Sequence, residues 1–355
     1  MSHIQIHATN INGLGASQVV ISFLDAFVKS ENSDKAMIHL PNCGILKGYQ
    51  PSKGMVKRFN RMLPNSISRL LECLFSRFFF ENIPTIVLGD IPLRGIKDQV
   101  VLVHQPNLIY PKINYSSSTS LIFRVNRFLF TINHKFAKKI IVQTGAMAKD
   151  MIASYPSIKD KVIISPQPVP NWLFQEKIVE FKNNDKVVLF YPAAFYPHKK
   201  HDFLLKINNF IKVHNIDISN FEILLTLTKE EFASLKGIKF LKNLGRLNSV
   251  EMNNYYRKVD ALLFLSSMES YGLPLVEALT INLPIVTVKF DYATWLCEDL
   301  AYYFKPYEEK SFLTAIDNLT SDLKKNKSIN YNKVLSKFPE SWKEVVYVYE
   351  NALND

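Results

Sequence analysis

Residues 261–280, ALLFLSSMESYGLPLVEALT, constrain this chain more than any other stretch. Ala261–Leu265 is an apolar run of strand length. Ser266–Ser270 is polar and ends it. Gly272 and Pro274 punctuate the loop, and Pro274 suits the first turn of a helix, where a missing N–H costs nothing. Leu275–Leu279 continues as helix. Two carboxylates, Glu269 and Glu277, stand eight residues apart, one in the loop and one about a turn into the helix. The helix start offers unpaired N–H groups and a positive dipole end, so the loop can hold a phosphate. Glu277, just behind, can accept two hydrogen bonds from a neighbouring diol. A nucleotide-sugar presents that pair as a diphosphate beside a ribose. The stretch by itself also reads as a capped helix with a solvated glutamate.

The stretch resembles the donor-site signature of the retaining GT-B glycosyltransferases of family four, E-S-F/Y-G-L-P-x-x-E-A. Here M-E-S-Y-G-L-P-L-V-E-A-L matches every characteristic position, a far longer match than a lone glycine pattern. The resemblance implies an α/β protein of GT-B type, with two Rossmann-like, doubly wound domains around an interdomain cleft. It places Glu277 on the ribose and Glu269 on sugar hydroxyls, and makes Ser270, Tyr271, Gly272 and Leu273 donor-binding residues.

The rest of the chain bears on this. Its 355 residues suggest two domains of ordinary size. Lys+Arg 43 against Asp+Glu 32 gives +11, which suits nucleic acid, a membrane surface or an anionic substrate. No nucleic-acid motif accompanies the charge, so the last two are favoured. Cys43, Cys73 and Cys297 show neither metal nor disulfide spacing, which suits a reducing compartment. The opening MSHIQIHATNINGLG lacks a charged-then-apolar leader, and no run approaches the roughly 18 apolar residues of a membrane span. The expected location is cytoplasmic, with peripheral attachment to the inner membrane face as an option.

In the first half, His3–His7 reads as a strand and Ala16–Val28 as a helix. The loop between them carries Gly13 and Gly15 but no third glycine of a dinucleotide fingerprint, so it is either a plain turn or a phosphate or sugar contact. Residues 57–80, KRFNRMLPNSISRLLECLFSRFFF, place apolar residues on one helical face from Leu63 onward. Lys57, Arg58, Arg61, Arg69 and Arg77 flank that face. Such a helix lies either on an anionic membrane surface or against a core with its charges in water. Strands are expected at Pro84–Leu88, Val100–Val103, Ile140–Gln143 and Val162–Ser165. His104 follows the second of these, at the strand end where α/β sheets bind ligands. The resemblance adds that a histidine here lies beside the transferred sugar.

Proline-rich PQPVPNW at 166–172 and a charged segment at 175–186 mark a boundary. The domains are expected at 1–174, 175–335 and, for a helix returning to the first domain, 336–355. The second series has strands at Val187–Tyr191, Glu222–Leu227, Lys239–Leu241 and Pro284–Val288. It has helices from Asp202 and at Ser249–Lys258. YPAAFYPHKKHDFLL follows the first strand. Spacing leaves its lysines as a solvated pair or a diphosphate contact. The resemblance assigns Lys199 to the family's phosphate-binding lysine and Lys200 to its Gly/Asn position, with Asp202 and Leu205 in register. The family's preceding arginine is missing, its region being occupied by Ala193 and Ala194. Arg246 or Lys200 is a candidate substitute.

The function expected from the resemblance is transfer of a sugar from a UDP or GDP donor to a glycan or lipid-linked acceptor, with retention. Lys199 and the backbone N–H groups near Gly272 and Leu273 would stabilise the departing diphosphate. Glu269 would bond the sugar hydroxyls, and His104 would contact the sugar or position the acceptor. No Asp-x-Asp pair or His/Cys cluster is present, so neither metal nor cofactor is expected, and nucleic acid is not an expected partner. Two alternatives stand beside this: a sugar-nucleotide epimerase of similar fold and a non-catalytic partner subunit.

Overall fold

The computed structural model describes residues 4–11, 13–51, 55–60, 65–109, 121–169, 173, 186–217 and 220–355. The chain divides into two compact units. One is Met1–Pro168 together with Phe338–Asp355, and the other is Val169–Lys337. The division thus falls six residues ahead of the boundary read from the charged segment.

Each unit is a sheet of parallel strands flanked by helices. Strands such as IQIH and QVVL are buried along their whole length, as parallel strands covered on both faces must be. The first unit contains β1 Ile4–His7, β2 Ala36–Pro41, β3 Met55–Phe59, β4 Thr85–Val87, β5 Gln99–Leu102, β6 Ala137–Val142 and β7 Val162–Ile164. Their order is β3-β2-β1-β4-β5-β6-β7. Side chains alternate across this sheet as the pleat requires. Ile86, Leu88, Val100 and Leu102 join one core with Phe23 and Leu24 of the helix Leu14–Phe27. Val87, Val101 and Val103 join the other, with Leu129 and Phe130 of the helix Leu121–Asn133. The C-terminal helix Trp342–Asn354 adds Val345, Val346 and Tyr349 to the first core.

The second unit contains β8 Val187–Tyr191, β9 Phe221–Leu225, β10 Leu241–Asn243, β11 Ala261–Phe264, β12 Ile285–Val288 and β13 Tyr302–Phe304. Their order is β10-β9-β8-β11-β12-β13. In both sheets the order reverses beside the first strand, between β1 and β4 and between β8 and β11. The loops leaving the carboxyl ends of those strands diverge there and open a ligand crevice.

Three expectations need correction. The strand foreseen at Lys239–Leu241 is β10, two residues later. Ile238 and Phe240 alternate like strand residues but lie in a turn closed by Leu241 N–H to the Ile238 carbonyl at 3.1 Å. Second, Lys57 and Arg58 belong to β3 rather than to a helix, and β3 pairs with β2. The helix proper is Asn65–Leu74, and the backbone breaks at Phe75 before a single turn Ser76–Phe79.

Third, the described arginines of 57–80 do not share an exposed face. Arg58 donates to the Tyr49 carbonyl, and Arg69 donates to the Gly89 carbonyl at 3.3 Å. The stem of Arg77 lies against Gly95, and Arg61 lies outside the described residues. Leu70 and Leu74 pack on the second core. The break turns Phe75, Phe78 and Phe79 outward, Phe78 at 85% exposure. Among the described residues, no helix is long and apolar enough to cross a membrane.

Candidate functional site

The two loops at the β8/β11 crevice carry Lys199 and Glu269, and they are fastened to each other. Ser267 donates its N–H to the His198 carbonyl at 2.7 Å, and the Ser267 hydroxyl donates to the same oxygen at 3.1 Å. The Tyr191 hydroxyl, at the end of β8, donates to the Lys199 carbonyl. Tyr292 donates to the Ser266 carbonyl at 2.6 Å. These bonds fix the backbone on which Lys199 and Glu269 stand. The two side chains form a charge-assisted hydrogen bond, with 15% and 13% of their side-chain surface exposed. The residues predicted for the leaving phosphate and for the sugar are thus direct partners.

Lys200 is arranged differently. Its backbone lies in the left-handed region, at φ 54°. That explains why a Gly/Asn position falls here: glycine and asparagine enter this region at least cost. Its ammonium lies over the Tyr307 ring, 5.6 Å from the centroid. Arg246 is held by both carboxylate oxygens of Glu231, at 2.6 and 2.7 Å. Its charge is already matched there.

Gly272 begins the helix Leu273–Thr280 at φ 80°. A Cβ there would stand 3.3 Å from both Leu275 and Leu296. Glycine is therefore required by conformation and by space. Pro274 occupies the first turn, as the sequence predicts. Ser270 is half-buried, whereas the Tyr271 side chain is buried at 3% exposure. Tyr271 can therefore meet a donor only through its backbone. Glu277 lies just over one turn into the helix and is 8% exposed. Burial pushes its carboxyl up to about 7, opposed by a hydrogen bond from the Tyr256 hydroxyl at 2.5 Å. Tyr256 was not foreseen, because a tyrosine ending a short polar helix carries no signal of its partner.

In the first unit, His104 follows β5. Its N–H and that of Gln105 donate to one carboxylate oxygen of Asp90, at 2.8 and 2.9 Å, and its ring Nδ1 lies 3.6 Å from the same atom. Asp90 is 6% exposed with φ 71°. It holds the His104 loop, a role that only the folded chain reveals. Beside it, Thr9 past β1 bonds His7 Nε2 at 2.9 Å and donates to buried Glu72 at 3.0 Å. Gly13 and Gly15 have open space where a side chain would project and no left-handed φ. Among the described residues, no three His, Cys, Asp or Glu are grouped so as to hold a metal ion.

Residues 174–334 match the family model of glycosyl transferases group 1. The match lies within the second unit. Among curated relatives, it is similar to the O-antigen chain mannosyltransferase RfbU of Salmonella typhimurium, at 22% identity over 237 residues. That match covers 64% of this chain and 62% of RfbU, less than two-thirds of the relative's length. Among solved structures, a glycosyltransferase from Rickettsia africae aligns with TM-score 0.67 and 13% identity, covering 100% of this chain and 99% of that one. Alr3699/HepE of Anabaena, solved in complex with UDP and glucose, aligns with TM-score 0.62 and 13% identity over 100% and 96% of the two chains. At these identities the structures establish the fold, which is the two-domain Rossmann-like architecture of GT-B proteins.

Proposed function

We propose that the protein transfers a sugar from a nucleoside-diphosphate donor to an acceptor hydroxyl, with retention of configuration, in the assembly of a bacterial surface glycan. One observation carries this reading: Lys199 and Glu269 are in contact where the loops after β8 and β11 are bonded to each other, and Glu277 stands just over one turn into the helix that follows. An ammonium and the helix-start N–H groups at Leu273 offer positive potential for a leaving diphosphate. Glu277 accepts the ribose hydroxyls. When the diphosphate takes the ammonium, Glu269 is released to bond the sugar. His104, steadied by Asp90, serves the sugar or the acceptor. The RfbU relative and the UDP-bound Anabaena neighbour support donor and pathway of this kind. No covalent nucleophile is assigned, and attack on the same face assisted by the leaving phosphate accounts for retention. With the family's arginine replaced by Ala193 and Ala194, Lys199 carries the leaving-group charge, and the reaction proceeds without a metal.

The work site we propose is the inner membrane face, with Phe75, Phe78 and Phe79 rather than the arginines as the contact. Exposed aromatic rings on a protein of net charge +11 suit an anionic lipid surface.

The test is incubation with a panel of UDP- and GDP-sugars, read by mass spectrometry for transfer or donor hydrolysis. Nucleoside-diphosphate release is expected with one donor and is lost in Glu277→Ala. Conversion of a donor to its epimer would establish the epimerase reading instead. Failure of UDP and GDP to bind in calorimetry would establish a non-catalytic subunit.

A further inference from the structure

Tyr256 ends the helix Ser249–Tyr256 and is 1% exposed. Two features set where its hydroxyl stands. The helix start is locked by reciprocal hydrogen bonds between Asn248 and Glu251, and the Tyr256 ring meets Phe190 edge-on, with centroids 5.3 Å apart. From there the hydroxyl reaches Oε2 of Glu277 on the neighbouring helix at 2.5 Å. That bond occupies Oε2 of the carboxylate.

We propose that Tyr256 is the positioning residue for nucleotide binding: it holds Oε2 of Glu277, aims Oε1 at the ribose hydroxyls and keeps the carboxyl in its ionised, accepting form. This rests on the assignment of Glu277 to the ribose. The chemical demand is clear. Ribose hydroxyls are donors, and only an ionised carboxylate accepts from both without using an oxygen to carry its own proton. Burial works against ionisation and pushes the Glu277 carboxyl up to about 7. A donor fixed on the charged form opposes that push.

Among the described residues, the elements that pack most against this helix offer no substitute for the tyrosine. The helix Leu273–Thr280 packs against β11, β12 and the helix Asp291–Cys297. β11 and β12 present Ala, Leu, Phe, Ile, Val and Thr only. In the helix Asp291–Cys297, Asp291 is exposed, Tyr292 donates to the Ser266 carbonyl, and the Cys297 thiol is pushed up to about 12 by burial. Tyr256, from the helix on the other side, is the titratable group that acts on the Glu277 carboxyl.

The experiment is calorimetric affinity for UDP and for GDP between pH 6 and 9, on the full chain, for wild type, Tyr256→Phe and Glu277→Gln, with a thermal melt at each pH. Losing the donor removes what opposes burial, so the Glu277 carboxyl is driven further up and is less ionised at pH 7 in the Phe variant than in wild type. The Phe variant is therefore expected to bind about fivefold more weakly than wild type at pH 7 and within about twofold at pH 9. A loss of purely structural origin would be the same at every pH, and that parallel profile overturns the proposal, as does an unchanged one. Tyr256→3-fluorotyrosine retains the packing and strengthens the donor, so its profile is expected to shift to lower pH. It decides the matter if the Phe variant melts early. Glu277→Gln is expected to bind weakly throughout. Wild-type affinity in that variant removes the ribose assignment itself, an outcome distinct from a failure at Tyr256 alone.

Discussion

Lys199→Met separates the electrostatic argument from a merely structural one. The substitution preserves the aliphatic stem and removes the ammonium that is paired with Glu269, itself at 13% side-chain exposure. Breaking a buried ion pair by removing one partner costs roughly 3–5 kcal/mol, and a pair seated in loops at a crevice mouth belongs at the low end, about 3 kcal/mol. For a unit the size of Val169–Lys337, each kcal/mol moves the melting temperature by roughly 2–4 °C, so a fall of roughly 6–12 °C is expected. Lys199→Met combined with Glu269→Gln leaves no stranded charge and should melt within about 1 kcal/mol of wild type. Scanning fluorimetry of the two singles and the double reads this directly. Turnover of the donor that the panel identifies should fall about 10²–10³-fold in Lys199→Met, the range seen when one preorganised group at developing negative charge is removed. Lys200→Met is the control: its ammonium faces Tyr307, so about 0.5–1 kcal/mol of stability is lost and turnover is largely kept. Two results refute the reasoning: a Lys199→Met single that melts with wild type, or equal turnover losses at the two lysines.

Gly272→Ala should destabilise by about 1–2 kcal/mol, because φ 80° is left-handed and the new methyl meets Leu275 and Leu296; chemical denaturation checks it, and a neutral result would mean that the loop relaxes freely. In vesicle co-sedimentation with anionic lipid at low and high salt, Phe75, Phe78 and Phe79 changed together to Ser should abolish binding while Arg58→Gln and Arg69→Gln leave it; the opposite pattern would return the membrane contact to the arginines.

The local structure of the candidate donor loop was legible because one short segment sets it. A strand, a glycine with left-handed backbone, a proline in the first helical turn and two carboxylates sit within twenty consecutive residues, and each local preference agrees with the fold. The lysine loop was legible for the same reason, and the structure adds a cause for its pattern: the Gly/Asn position is the left-handed one, occupied here by Lys200. What sequence could not supply is long-range pairing. Tyr256 meets Glu277 across 21 positions, Arg246 meets Glu231 across 15, and Asp90 reaches the His104 loop across 14. Tyr256, Glu231 and Asp90 stand in no motif, and each is found only once the fold brings its element alongside. The failure at 57–80 has a different cause. An apolar periodicity of 3.6 says that a helix has one face, but not where the helix begins or whether its last turn survives. The strand register of β3 against β2 claims Lys57 and Arg58 at one end, and the break at Phe75 re-aims the aromatic residues at the other. Arg58 and Arg69 turn toward carbonyl oxygens, and Phe75, Phe78 and Phe79 are exposed beside Arg77. A sequence reading of that segment therefore foresaw its mix of charge and apolar residues but not which side chains the backbone turns outward.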